Sequence, residues 1–179
     1  MRTSYERRLT YEWDCLQQLM TEAPDKLCQA RRIDDHAFLL SVAMMPALSA
    51  QPGQDWQPNI KDNHQITLSF PRYYPAVPSE IFLSEPVFHP NVDAVNGFVC
   101  LWDKHRVANT ARHALAKLAS VLAWRLLNAD APHLMQPSAL DWYHNSPDAK
   151  ASLPLNQHPW ILTSLMGEDD QRPRRRRLS

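Results

Sequence analysis

Closely spaced prolines divide residues 30–83 into short segments, and this spacing limits the fold more than any other feature of the sequence. Proline has no backbone N–H donor, so it marks turns and connections. Strand-like stretches lie between the prolines: an apolar run at 38–45, an alternating pattern at Ile66, Leu68 and Phe70, and a short apolar run at 80–84. Consecutive strands joined by such turns predict an antiparallel meander and argue against β-α-β units.

An amphipathic helix is predicted before these strands. Its apolar face consists of Tyr5, Leu9, Trp13, Leu16 and Met20, which recur at helical spacing. Thr3 and Glu6 can form a capping box at its start, and Pro24 limits its end. The chain is therefore expected to begin with a helix and continue into a sheet.

Two more helices are predicted after a long irregular segment at 84–108. The first covers residues 110–127, with Asn109 or Thr110 as its N-terminal cap. It is apolar on most sides, which predicts a central position in the core. Pro137 is typical of the first turn of the next helix.

Length and composition predict one domain with a tail. We expect the domain to cover residues 1–166, including a last apolar stretch from Trp160, and the acidic and then arginine-rich residues 167–179 to be disordered. The formal net charge of zero provides no global field favouring nucleic acid or a membrane surface. No apolar run approaches the roughly 20 residues of a membrane span, and the N-terminus does not have the pattern of a signal peptide.

The cysteines are Cys15, Cys28 and Cys100. Their odd number and wide spacing argue against a disulfide framework and favour a reducing compartment, which we take to be the cytoplasm. We expect no metal site, because paired cysteines or histidines at metal-binding spacing do not occur.

The segment 88–101 combines the motif His89-Pro90-Asn91 with a turn at Asn96-Gly97 and the thiol of Cys100. A thiolate can accept an acyl group, and an amide N–H can stabilise the oxyanion that forms when this group is attacked. The segment is therefore a candidate site for thioester chemistry, with a simple tight turn as the alternative.

This segment belongs to a longer ordered set that resembles the ubiquitin-conjugating enzymes. The set consists of Leu68-Ser69-Phe70-Pro71, Tyr74-Pro75, Pro78, Ile81-Phe82, His89-Pro90-Asn91, Asn96-Gly97, Cys100-Leu101, residues 128–132, Ala139 and residues 143–147. The resemblance implies an α+β fold: an N-terminal helix, a four-stranded antiparallel meander, a catalytic loop and C-terminal helices. It also implies a transferase that takes a ubiquitin-like protein from an activating enzyme and passes it to a lysine amine, without a cofactor at this step.

The chain also departs from the family pattern. The loop from Asn91 to Cys100 is one residue longer than usual, Pro78-Ser79 replaces a Pro-Pro pair, and Ala76 replaces an aromatic residue. Residues 106–109 stand where the family has a Trp-x-Pro segment. These departures indicate a divergent member, such as the bacterial ubiquitin-conjugating-like proteins, and argue against a conventional contact with RING-type ligases.

The resemblance assigns roles to the loop residues. Cys100 would be the nucleophile, although a cysteine of the core is the alternative. Asn91 would stabilise the oxyanion, brace its own loop through hydrogen bonds to the backbone, or do both. His89 and Pro90 are expected to support the loop, His89 through a ring hydrogen bond and Pro90 by fixing the turn.

Two further sites follow from the family. Asp130 could orient the incoming lysine, with Asp103 and His133 as weaker candidates, or it could be a surface aspartate. Arg7 and Arg8 lie on the helix face that meets the activating enzyme in the family, and solvated arginines are the alternative.

Two other functions compete with the transferase. An inert variant could act only as a binding module, although such variants lack the nucleophile. A cysteine hydrolase would use Cys100 with a histidine, but it would need a thiol at a helix start beside a base, and Cys100 follows an extended stretch instead. The identity of the ubiquitin-like protein and of its acceptor stays open.

Overall fold

The computed structural model describes residues 3–49, 59–102 and 104–146, together with Leu153 and Trp160. Its helices are α1 (Ser4–Glu22), α2 (Ala111–Leu122) and α3 (Pro137–Asn145), and a short 3₁₀ helix covers Ala131–His133. Its strands are β1 (Leu27–Arg32), β2 (Ala37–Val42), β3 (Ala47–Leu48), β4 (Ile60–Lys61), β5 (His64–Ser69), β6 (Glu80–Leu83) and β7 (Phe98–Val99).

Five strands form one antiparallel sheet in the order β1-β2-β5-β6-β7. The first four are the predicted meander, and the two-residue strand β7 adds an edge that the sequence had suggested only as an extended stretch. Strands β3 and β4 lie between β2 and β5 in the sequence, and they pair with each other as a separate two-stranded ribbon. The α+β architecture expected from the sequence is therefore confirmed.

One hydrophobic core joins α1, the sheet and α2. The predicted face of α1 contributes Leu9 and Leu16, and both capping-box hydrogen bonds between Thr3 and Glu6 are present. In β5, Ile66 and Leu68 are fully buried while their neighbours are not, as the alternating pattern indicated. Helix α2 lies mostly buried within this core, which confirms its predicted central position.

Helix α2 ends five residues before the predicted limit of 127, because a left-handed residue terminates it. Trp124 has a φ of 60°, its N–H donates to the Val121 carbonyl at 2.7 Å, and the Arg125 N–H donates to the Ser120 carbonyl at 3.0 Å. This is a Schellman motif with tryptophan where glycine is usual. The Trp124 ring is buried against Phe88, His89, Trp142 and Tyr143, and this packing supports the unusual backbone.

A buried carboxylate connects α1 to the start of α2. Glu12 accepts hydrogen bonds from the Arg8 Nε at 2.7 Å, the Tyr74 hydroxyl at 2.5 Å and the Ala111 N–H at 2.7 Å. The Ala111 N–H is one of the amides that an α-helix leaves unpaired at its N-terminus. Glu12 therefore caps α2 from a position 99 residues away in the sequence.

The predicted domain boundary lies partly outside the described residues. Trp160 is 1% exposed and its Nε1–H donates to the Ala43 carbonyl at 2.9 Å, so this residue packs on the body of the domain. The predicted disordered tail at 167–179 falls outside the described residues.

Candidate active site

The loop that carries Cys100 is shaped by local hydrogen bonds and one glycine. The Asp93 carboxylate accepts from the Val95 and Asn96 N–H groups at 2.8 and 3.1 Å. Gly97 has a φ of 73°, and a Cβ at this position would lie 2.1 Å from the Leu83 carbonyl oxygen. The turn therefore needs glycine for both its backbone angle and its close contact with β6.

The turn feeds into β7, which delivers Cys100 next to the His-Pro-Asn motif. The Cys100 N–H donates to the Asn91 carbonyl at 2.8 Å, and Val92 bridges to Val99. The Cys100 side chain is half-buried. It lies between the core, to which Val99 and Leu101 belong, and solvent, so its sulfur is not sealed inside the protein.

Asn91 is buried, and its side chain connects two backbone segments. Its Nδ2–H donates to the Cys100 carbonyl at 3.2 Å, and its Oδ1 accepts from the Asn128 N–H at 2.8 Å. This is the bracing role that the sequence left open. Asn91 also lines the cavity described below, so it belongs to the same candidate site.

His89 is fully buried and supports the loop through its ring. Its Nδ1 accepts from the Asn91 N–H at 3.0 Å, so the ring proton resides on Nε2. Burial lowers the pKa of His89 to about 3, and the Val121 carbonyl offsets this effect only in part. His89 is therefore neutral at physiological pH. Pro90 is also buried, and its carbonyl accepts from the Met135 N–H at 2.8 Å.

A histidine contacts the cysteine sulfur. The Nδ1 of His133 lies 3.6 Å from the Sγ of Cys100, although the two residues are 33 positions apart. His133 ends the short 3₁₀ helix after α2, and its side chain is exposed. The sequence had named His133 only as a weaker alternative to Asp130.

A cavity of about 240 Å³ opens beside this pair. Its walls include Asn91, Lys117, Asn128, Asp130 and His133. Asp130 is exposed, and its backbone carbonyl accepts from the His133 N–H at 2.9 Å. The structure therefore brings Asp130 and His133 to one cavity next to Cys100, whereas Asp103 lies outside the described residues.

Two polar residues that the sequence did not single out hold the site together. The Nδ2 of Asn128 donates to the Cys100 carbonyl at 3.3 Å and to the His133 carbonyl at 3.1 Å. The buried Nε2 of Gln136 donates to the carbonyls of Val87 and Val92, both at 2.8 Å. Neither has a local pattern that marks it. Asn128 could have been noticed only from its position in the family set.

The two arginines of α1 differ in their surroundings. Arg7 is exposed. The Arg8 guanidinium belongs to the interior hydrogen-bond network. It donates to Glu12, to the Tyr74 hydroxyl at 3.2 Å and to the Asn109 carbonyl at 2.8 Å. Arg8 therefore has a structural role that the sequence did not suggest.

Comparison with known proteins identifies the family of this cysteine-bearing α+β fold. The family model of ubiquitin-conjugating enzymes matches residues 13–149. The "Ubiquitin-conjugating enzyme E2-20 kDa" of Schizosaccharomyces pombe is 29% identical over 133 residues, which cover 63% of this chain and 75% of the relative.

Solved structures agree with this match at the level of the fold. A ubiquitin conjugating enzyme from Plasmodium yoelii superposes with a TM-score of 0.56 at 16% identity, covering 91% of this chain and 97% of the other. One from Trypanosoma cruzi gives a TM-score of 0.56 at 16% identity, covering 86% and 96%. The chain belongs to the ubiquitin-conjugating enzyme family, and membership implies a part in the conjugation of ubiquitin or a ubiquitin-like protein.

Within the described ranges, no helix is long and apolar enough to cross a membrane. The same residues contain no cluster of three or more histidine, cysteine or acidic side chains that could hold a metal ion.

Proposed function

We propose that Cys100 accepts the C-terminal acyl group of a ubiquitin-like protein from an activating enzyme and passes it to a lysine amine. The half-exposed Cys100 side chain carries this proposal, because a donor protein can reach it while its backbone is held by Asn91 and Asn128. Asn91 and Asn128 also line the adjacent cavity, together with His133, whose ring contacts the Cys100 sulfur.

In the first step, the Cys100 thiolate attacks the carbonyl carbon of the donor thioester. A new C–S bond forms to Cys100, the bond to the donor sulfur breaks, and the donor leaves as a thiolate. One thioester replaces another, so the step needs no cofactor in this protein.

In the second step, the lysine amine attacks the thioester on Cys100 and negative charge develops on the carbonyl oxygen. Asn91 is the proposed donor to this oxygen through its Nδ2, which carries a second hydrogen beyond the one given to the Cys100 carbonyl. Asp130, on the cavity wall, would attract and orient the lysine ammonium.

The proposed partners are a ubiquitin-like protein, an activating enzyme and a protein acceptor. Arg7, with the exposed part of Arg8, would meet an acidic face of the activating enzyme. A cytoplasmic location suits the reaction, since the nucleophile must stay reduced and Cys15, Cys28 and Cys100 form no disulfide.

A non-reducing gel tests this proposal. The protein is mixed with a competent activating enzyme, ATP and the ubiquitin-like protein, and we expect an adduct that reducing agent removes. Cys100→Ala should abolish the adduct, while Cys28→Ala, which changes an exposed thiol on β1, should retain it.

The other functions give different results in the same assay. Unchanged mobility with a competent donor would overturn the proposal and support a binding module. Cleavage of a ubiquitin-like precursor without transfer to an amine would instead support a cysteine hydrolase.

A further inference from the structure

We infer that His133 is a catalytic residue that exchanges a proton with the Cys100 sulfur during both loading and discharge. The inference rests on the proposed function and extends it by naming the proton acceptor. Its basis is the contact of 3.6 Å between the Cys100 Sγ and the His133 Nδ1, together with the position of His133 on the wall of the cavity.

The backbone holds this pair in place. The Asn128 side chain donates to the carbonyls of Cys100 and His133, at 3.3 and 3.1 Å. One amide group therefore connects the two backbone segments that carry the pair. The His133 N–H is also bound, to the Asp130 carbonyl at 2.9 Å. Both residues are thus positioned before a substrate arrives, which is what proton transfer in a transition state requires.

His133 gains and then loses one proton in each step, so it is neutral again at the end of the cycle. During loading, the thiol proton moves from Sγ to Nδ1 and leaves the thiolate that attacks the donor thioester. The departing donor thiolate then takes this proton, so His133 is neutral again. Once Cys100 is acylated, its sulfur has no proton, and the free Nδ1 faces the region where the thioester is attacked.

During discharge, the imidazole takes a proton from the attacking amine as the C–N bond forms. The C–S bond to Cys100 then breaks, and the imidazolium returns the proton to the departing thiolate. The thiol and the neutral imidazole are restored, and no oxidant, reductant or metal is needed.

Other charged groups face the same cavity. Lys117 projects from α2 and Asp130 precedes the 3₁₀ helix, and both line the wall beside His133. A pH profile of the reaction therefore contains contributions from these groups, so the His133 variants must be compared with the unmodified protein across the full range of pH.

The first test is single-turnover discharge of the loaded protein to free lysine. His133→Gln retains polarity but cannot accept the proton, and we expect discharge near neutral pH to slow by about 10²-fold. The deficit should shrink at high pH, where hydroxide can take the proton of the attacking amine in place of the imidazole. His144→Gln, an exposed histidine on α3, is the matched control and should discharge normally.

Two further measurements separate a catalytic role from a structural one. Free imidazole should partly restore discharge in His133→Ala, which a merely structural defect would not allow. Alkylation of Cys100 by iodoacetamide, which needs no partner protein, should slow by about tenfold below pH ~8 in His133→Gln, because the thiolate loses its imidazole neighbour.

The outcomes distinguish this inference from the proposed function. If the wild-type protein forms no adduct, the proposed function fails. If the wild type loads but His133→Gln matches it in alkylation and in discharge at every pH, His133 has no catalytic part while the transferase stands. A deficit that is constant with pH and insensitive to imidazole would also overturn the catalytic role.

Discussion

The side chain of Asn91 has two roles, and its replacement by alanine would remove both of them. It braces the loop through hydrogen bonds with Cys100 and Asn128, and it is the proposed donor to the oxyanion. Removing it weakens the loop and the chemistry together. Variants that keep part of the brace are therefore needed.

Asn91→Ala should still load the thioester but discharge it more slowly, by about 10²-fold or more, because the oxyanion loses a donor. Asn91→Asp retains an acceptor for the Asn128 N–H and lacks the Nδ2 donor, so it should be similarly slow. Asn128→Ala keeps the backbone N–H that binds Asn91 and removes the side-chain donor to the Cys100 and His133 carbonyls, and it should slow discharge by less than about tenfold. Single-turnover discharge to lysine measures all three. A wild-type rate in Asn91→Ala would remove Asn91 from catalysis.

His89 makes stability depend on pH. Its pKa is lowered from 6.5 to about 3 by burial, so between these values the unfolded chain binds a proton that the native protein does not. The contribution of the neutral ring is fully present above pH 6.5 and is lost as the pH falls towards 3. The free energy of unfolding should therefore fall by up to about 1.4 kcal/mol per pH unit in this range.

Urea unfolding at several pH values tests this prediction. His89→Gln keeps an acceptor for the Asn91 N–H but does not titrate, so its pH slope should be smaller than that of the wild type. It should not vanish, since burial also lowers the pKa of His64. His144→Gln should keep the wild-type slope. An unchanged slope in His89→Gln would show that His89 does not contribute.

At the scale of the elements, α1 and α2 are joined by a polar network within an otherwise apolar core. Glu12 is inaccessible to solvent and accepts from three donors that belong to α1, the loop after β5 and the start of α2. Burial and the adjacent carboxylate raise the pKa of Tyr74, so its hydroxyl stays protonated and donates to Glu12. The N-terminus of α2 adds the favourable interaction of a helix dipole with a negative charge.

Glu12→Ala should therefore lower the free energy of unfolding by about 3–5 kcal/mol, because Arg8, Tyr74 and the Ala111 N–H lose their acceptor inside the core. Glu22→Gln on the same helix is the control. Its exposed ion pair with Arg112 should contribute no more than about 1 kcal/mol. Urea denaturation measures both, and similar small losses would contradict a capping role for Glu12.

At the scale of the whole molecule, Trp160 packs into a core that is formed mainly by residues much earlier in the sequence. Trp160 is buried and donates to the carbonyl of Ala43, 117 residues earlier and directly after β2. Trp160 is therefore part of the folded domain, whereas the predicted limit at 166 falls outside the described residues. The limit itself remains a prediction.

Trp160→Ala should lower the free energy of unfolding by about 3–5 kcal/mol through lost burial and the cavity that remains. Tyr73→Ala removes an aromatic side chain that is 68% exposed and should change stability by about 0.5 kcal/mol or less. Deletion of residues 167–179 should leave the melting temperature unchanged. A large loss after this deletion would place the domain limit beyond 166.

Local patterns in the sequence were sufficient for much of the fold. The capping box of α1, the alternation in β5 and the proline at the start of α3 each depend on residues a few positions apart, so they could be recognised without a structure. The loop with Cys100 and Asn91 was also recognised, because its residues lie close together in the sequence. Strand β1 was not among the strand-like stretches, since Leu27 is its only buried residue and it has no alternating signal.

The remaining features depend on contacts between distant residues, and no local pattern encodes these. The end of α2 follows from aromatic packing around Trp124, and the start of α2 is capped by Glu12 from another helix. Asn128 joins Asn91, Cys100 and His133 only because the turn after α2 folds back onto the loop. The sequence therefore pointed to the thiol and the asparagine of the candidate site, while the folded chain brought His133 to the sulfur.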